Sequence, residues 1–314
     1  MQLKGIRELL AAEMRALEDK VYTLIQNDDR PIQQINQHTF QAQGKQLRPM
    51  LVFLAAGICG GITKKALRGA VLVTLLHQAS LAHDDVVDEA AHRRGRPTIN
   101  TAWNNKVAVL FGDYLATKGL TMATQYKDYD LLTLIIETAQ AMSKGELHQL
   151  AQARVPQTKE ADYLNIIYNK TAHFFGTCLA IGATAAGAPV AQVASLRQIG
   201  EQIGTAFQLR DDWLDYGNEE LGKPLGRDLQ EGKFTLPLIY ALQEVSAQKR
   251  QSVLHAIQHA QQHEQVLAFV RQSSGMDYTQ AMIKNYQNKA LKSLAKMTTS
   301  PYLEGLCSLI LHST

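Results

Sequence analysis

Cysteine is scarce in this chain of 314 residues: three, Cys59, Cys178 and Cys307, odd in number and widely spaced. That excludes a disulfide framework or a cysteine zinc site and fits reduced thiols in a cytoplasmic protein. An excess of one charge is lacking too. A formal net charge of +3 is too mild for a nucleic-acid binder, and no basic run is interleaved with aromatics. Long uncharged runs are few. Residues 174–196 carry no charge, but the stretch is rich in Ala, Gly and Thr and holds Pro189 and Gln192. Close helix packing explains it better than a membrane span. The stretch "MQLKGIRELLAAEMRALEDK" is broken by charge every few residues and reads as an amphipathic helix, not a secretory leader. Repeats, Pro/Gly/Ser linkers and period-2 alternation bounded by turn residues are absent, which speaks against solenoids, a linker-divided chain and strands.

What is present is helical. Ile6, Leu9, Leu10, Met14, Leu17, Val21 and Leu24 fall mostly three or four apart, the spacing of one buried helical face. "NDDRP" at 27–31 and "GKQLRP" at 44–49 are breaks. Beyond them the pattern predicts helices over about 50–58, 64–88, 101–125, 129–151, 160–187 and 191–216, with shorter ones from 234 onward. The expected fold is all-α: a single domain over 1–314, a bundle of about ten or more helices around a deep apolar cavity. Residues 217–234, rich in Gly and charge, are long for a connector and make a candidate lid.

The chemistry concentrates in "SLAHDDVVDEAAHRRGRPT". Asp84, Asp85 and Asp88 share one helix face at the C-terminal end of an apolar run, where the helix dipole disfavours carboxylates. Like charges about 4 Å apart repel by roughly 4 kcal/mol at an effective dielectric near 20. A solvated acidic helix end would account for one such cluster. "FQLRDDWLD", however, repeats the spacing with Asp211, Asp212 and Asp215. Two such groups can face each other across a cavity and hold Mg²⁺, which takes one or two carboxylates plus waters and phosphate oxygens. Six cations accompany them: Lys45, Arg48, Arg93, Arg94, Lys170 and Lys233. They exceed what one diphosphate needs, so two diphosphate substrates are expected, one held through metal and one by side chains.

"GKQLRP", "HQASLAHDDVVDEAAHRRGRPTIN", "FGDYLA", "GELHQL", "YNKTAHFFG", "FQLRDDWLD" and "GKPLGRDLQEGKFTLP" follow one another along the chain. In that order they resemble the all-trans polyprenyl diphosphate synthase family, the head-to-tail isoprenyl transferases, and imply its isoprenoid synthase fold. The resemblance implies that Asp84, Asp85, Asp88, Asp211, Asp212 and Asp215 bind the allylic diphosphate through about three Mg²⁺ ions. Arg93, Lys170, Thr171, Gln208 and Lys233 would contact the allylic substrate or its cation, and Lys170 and Lys233 count with the aspartates as catalytic. Lys45, Arg48, His77 and Arg94 would hold the diphosphate of isopentenyl diphosphate. The segment around Lys223 and Asp228 would close over the site. The allylic C–O bond ionises, the alkene of isopentenyl diphosphate attacks the cation, and the departing diphosphate takes the proton.

Product length follows from the same helix. Ala79 lies roughly 7 Å back from Asp84, and both Ala79 and Ser80 are small where a bulky aromatic would stop growth. Leu76, Leu75 and Leu72 continue the wall. The expectation is a medium- or long-chain product for quinone side chains; a short-chain farnesyl or geranylgeranyl synthase is the alternative. A cytoplasmic homodimer with at most peripheral membrane contact is implied, with a small dissimilar second subunit possible in some relatives. The final "YLEGLCSLILHST" lacks the basic residues with which many relatives end. A terpene cyclase has no use for the second diphosphate site. A non-catalytic regulatory subunit would have lost aspartates or lysines, and a phosphohydrolase would need to position water. His255, His259 and His263 read as an exposed polar helix, and His83 and His92 receive no role.

Overall fold

The computed structural model describes residues 3–41, 44–152, 159–217, 226–259 and 262–313. Lys223 of the expected lid lies outside them. The contacts group the chain into two compact units.

The first unit comprises Met1–Ala139, Thr177–Arg197 and Met297–Ser308. It begins with α1 (Leu3–Leu9), α2 (Ala11–Ile25), α3 (Arg30–Gln41), α4 (Leu47–Ile58) and α5 (Lys64–Val87). A small hairpin follows, β1 (His92–Arg93) and β2 (Arg96–Pro97), then α6 (Ile99–Ala102), α7 (Asn105–Gln125) and the first part of α8 (Tyr129–Gln152). α4 starts three residues earlier than the sequence pattern predicts, with Pro49 in its first turn, where a missing N–H costs nothing. Met50 through Ala56 are all fully buried, so α4 is the centre of this unit's core. Thr63 opens α5 by accepting the Ala66 N–H. α5 and α7 pack closely because Gly112 and Gly119 lack side chains: a Cβ at Gly112 would run into the His83 ring, and one at Gly119 would meet Leu72 and Leu75.

The second unit comprises Gln140–Gly176, Gln198–Lys296 and Leu309–Thr314. Where one helix over 160–187 is expected, the chain forms α9 (Glu160–Ile167), a π-helical turn (Tyr168–Ala172) and α10 (His173–Ala185), which passes into the first unit at Thr177. After α11 (Val190–Asp215), which enters this unit at Gln198, come α12 (Arg227–Gln230), α13 (Leu236–Gln243), α14 (Ala247–Ile257), α15 (His263–Arg271) and α16 (Gly275–Leu294); α17 (Pro301–Ser313) belongs to the first unit up to Ser308. Tyr163, Ile167, Leu209, Leu236 and Ile239 form one of its apolar clusters.

The all-α class is borne out, with the two-residue strands at 92–97 as a correction to the expectation of no strands. Among the described residues no helix is long and apolar enough to cross a membrane. The three cysteines are free thiols.

Candidate active site

In the first unit the site is built on the way α5 ends. Glu89 adopts a left-handed backbone (φ +49°) just past the helix. Ala90 N–H then reaches back to the Asp85 carbonyl at 2.9 Å, and Glu89 N–H to that of Val86 at 3.3 Å. This Schellman closure satisfies orphan carbonyls and stops the helix within one residue of Asp88. Thr98 Oγ1 donates to the Ala90 carbonyl at 2.6 Å, and Asn100 Nδ2 donates to the carbonyls of Asp85 and Ala90. The hairpin is thereby tied to the acidic turn.

The hairpin delivers two guanidiniums. Arg94 (φ +53°) and Gly95 (φ +75°) are its central residues, the left-handed pair of a two-residue turn. Arg93 donates from Nε (2.8 Å) and Nη2 (2.7 Å) to Oδ1 of the buried Asp85. These side chains line a cavity of about 60 Å³ together with Gln78, Arg94 and Arg96. Behind it Arg48 Nη1 donates to His77 Nε2 at 3.2 Å. Burial, helped by Arg48, Arg94 and Arg93, holds His77 well below the ordinary histidine range. His77 is therefore a neutral acceptor that orients Arg48, near enough to Arg94 and Arg93 to feel their charge, and these guanidiniums suit an anion. Lys45 is exposed just before α4.

In the second unit the end of α11 carries Asp211, which is exposed, Asp212, which is buried, and the half-buried Asp215. Both Asp212 oxygens are held: Tyr163 OH donates to Oδ2 at 2.5 Å and Gln208 Nε2 to Oδ1 at 2.8 Å. Thr171 Oγ1 in turn donates to Gln208 Oε1 at 2.8 Å. The backbone N–H groups of Arg227 and Asp228, on α12, donate to the two Asp215 oxygens at 3.1 and 3.0 Å. Burial pushes Asp212 up to about 6, against its two hydrogen bonds and with help from Asp211 and Asp215. Burial, then Asp212 and Asp215, push Asp228 up to about 8. Lys170 pairs with Glu146 at 2.5 Å and Lys233 with Glu231 at 2.6 Å. Lys170, Thr171, Gln208, Asp212, Asp228 and Lys233 together face a cavity of about 120 Å³. The π-helical turn matters here: its wider winding is of a kind that recurs at functional sites, and it carries Lys170 and Thr171.

The donor set fits a hard divalent cation. The acidic groups are carboxylates, and the upward shifts of Asp212 and Asp228 mark negative charge that a cation would relieve. Among the described residues no three His, Cys, Asp or Glu side chains already converge on one point. An ion here takes one or two carboxylates and completes its shell with water and phosphate oxygens, the habit of Mg²⁺.

A family model described as "Polyprenyl synthetase" matches residues 29–273. The chain belongs to the polyprenyl synthetase family. It is 34% identical to an octaprenyl diphosphate synthase of Haemophilus influenzae, covering 98% of this chain and 95% of that protein. It is 33% identical to heptaprenyl diphosphate synthase component 2 of Geobacillus stearothermophilus, covering 94% and 92%. A crystal structure of polyprenyl synthase from Caulobacter crescentus, complexed with calcium and isoprenyl diphosphate, matches with a TM-score of 0.92 at 31% identity, over 98% and 96% of the two chains. The reaction class and the fold expected from the sequence, those of a polyprenyl diphosphate synthase, are borne out.

Three side chains that hold candidate site residues received no role from the sequence, although Glu146 and Glu231 lie within the motifs quoted above. Tyr163 holds Asp212, and Glu146 and Glu231 hold the two lysines. The available signal was weak: Tyr163 sits seven residues before Lys170, two helical turns away on the same face. A buried tyrosine hydroxyl usually finds a partner.

The chain-length candidates divide. Leu76 and Ser80 are half-buried on the same face of α5 as Asp84 and Asp88, as are Thr74, His77, Gln78, Leu81 and His83 elsewhere on the helix. Ala79 is only 2% exposed. It lies between the levels at which His83 meets Gly112 and Leu75 meets Gly119, so it faces α7 and the buried Leu115. His255 and His259 stack on each other at 4.4 Å, and with His263 they make no metal site among the described residues.

Proposed function

We propose that the protein adds isopentenyl diphosphate head-to-tail to an allylic diphosphate and releases a medium- or long-chain all-trans polyprenyl diphosphate. The observation that carries the reading is the pair of DDxxD helix ends in a chain of this family, each beside its own cations. Asp84, Asp85, Asp88, Asp211, Asp212 and Asp215 bind the allylic diphosphate through Mg²⁺. Bound Mg²⁺ supplies positive charge against the leaving diphosphate. Lys170, Lys233 and Arg93 add charge where the leaving group becomes negative. Thr171 and Gln208 line the cavity that would take the allylic group, and the apolar Ile166, Ile167 and Phe234 in its wall would keep water from the cation. Lys45, Arg48 and Arg94 grip the second diphosphate, with His77 fixing Arg48. The half-buried face through Ser80 and Leu76 is the wall along which the tail grows, and its lack of an aromatic supports a product longer than farnesyl or geranylgeranyl.

We read the chain as one functional domain that works as a homodimer in the cytoplasm. The resemblance to a synthase "component 2" leaves a small second subunit as the alternative. Incubating the purified chain with Mg²⁺, farnesyl diphosphate and labelled isopentenyl diphosphate tests all of this. Elongated product of defined length supports the reading and shows that no second subunit is required. Activity only after a partner is added favours the heteromeric enzyme, and free phosphate or a hydrocarbon contradicts the reading.

A further inference from the structure

We propose that Gly44 is a positioning residue for the second diphosphate, its missing side chain being the seat on which the Arg94 guanidinium rests. The inference rests on the reading of Arg48, His77 and Arg94 as the isopentenyl diphosphate site and adds a residue to it. A methyl group at Gly44 would come 2.5 Å from Arg94 Cζ and 2.9 Å from Nη1, and closer still to Nη2. The three atoms nearest to it all belong to that one guanidinium. The Gly44 backbone lies outside the left-handed region, so alanine is compatible with its conformation. The space a side chain would take at Gly44 is occupied by a side chain of the anion cluster.

Arg94 is constrained at both ends. Its backbone sits in the left-handed region, φ +53°, at a two-residue turn whose other member is Gly95. L-residues other than glycine adopt that conformation rarely, and when they do at a site the strain marks a position that matters. The far end of the side chain lies across Gly44, immediately before Lys45. Arg94 is an exposed residue and the guanidinium is the far end of its flexible side chain, so a methyl at Gly44 pushes it aside without disturbing the core. What is lost is the placement of a planar fork that must meet phosphate oxygens. Misplacement of the order of 1 Å is enough to cost affinity at such a site.

Steady-state kinetics on the full-length G44A protein, with Mg²⁺ and a saturating allylic diphosphate, provide the test. The KM for isopentenyl diphosphate is expected to rise about tenfold, the loss of one charge-assisted hydrogen bond. The KM for the allylic diphosphate and the thermal midpoint should hold. R94M should raise the same KM, and the G44A/R94M double variant should be no worse than R94M alone, because the glycine acts through the arginine. A raised KM in R94M beside an unchanged one in G44A overturns the role of Gly44 and leaves the anion cluster standing. An unchanged KM in both variants overturns the cluster reading itself. A lowered thermal midpoint in G44A, or effects that multiply in the double variant, would make Gly44 a folding residue and overturn the proposal.

Discussion

Asp212 is the residue around which the second cavity is organised: buried, acidic, and gripped on each oxygen by a different donor. A carboxylate fixed in this way presents its remaining lone pairs in one direction, as an outer-shell partner does for a metal ligand. The Y163F substitution removes the hydroxyl and keeps the ring. It should lower kcat/KM by about 10-fold or more and raise the Mg²⁺ concentration needed for half-maximal activity; a fluorescence-monitored Mg²⁺ titration checks the second effect without turnover. The crowding of Asp212 and Asp228 also makes a stability prediction. Their pKa values are raised to about 6 and about 8 in the fold, so at intermediate pH the folded state keeps protons that the unfolded chain has released. Stability from this source is present at acid pH and lost as pH rises through those values. In metal-free buffer the thermal midpoint of wild type should therefore fall relative to D228N between pH 5 and pH 8, and a constant difference would contradict it. None of this was legible from residue types. The aspartates announced themselves by spacing, whereas no spacing ties Tyr163 to Asp212, 49 residues further on.

At the scale of elements, the acidic turn owes its shape to a helix stopped abruptly and a hairpin folded back on it. Periodicity located α5 to within a residue, because twenty-odd residues of patterned sequence close on the acidic cluster, whose last member, Asp88, caps the helix. The hairpin left no such trace: strands of two residues cannot show alternation, and Arg94-Gly95 is not among the commonest turn pairs. The π-helical turn was equally hidden, since the apolar pattern runs through it. Gly95 is the testable element here. Alanine at φ +75° costs about 1–2 kcal/mol, and because the turn positions both Arg93 and Arg94, G95A should lower the thermal midpoint and raise the KM for isopentenyl diphosphate together. A change in only one of the two would separate the hairpin's structural role from its functional one.

At the scale of the molecule, product length and metal binding are the properties that depend on everything at once. The helical phase distinguishes two neighbours that the sequence treats alike. Ser80 shares a half-buried face with Asp84 and Asp88, while Ala79 is packed toward α7. S80F should shorten the product with little change in thermal midpoint, as read by mass analysis of the polyprenyl chain. A79F should be the less stable of the two, by about 1–3 kcal/mol of overpacking. The central proposal is that each acidic helix end is needed for metal-dependent binding of the allylic diphosphate. Calorimetry with a non-ionising thiolo analogue of farnesyl diphosphate tests it most directly. Binding should require Mg²⁺, vanish in chelator, and be lost in D85N and D212N alike; binding that survives chelation, or either substitution, would contradict the account.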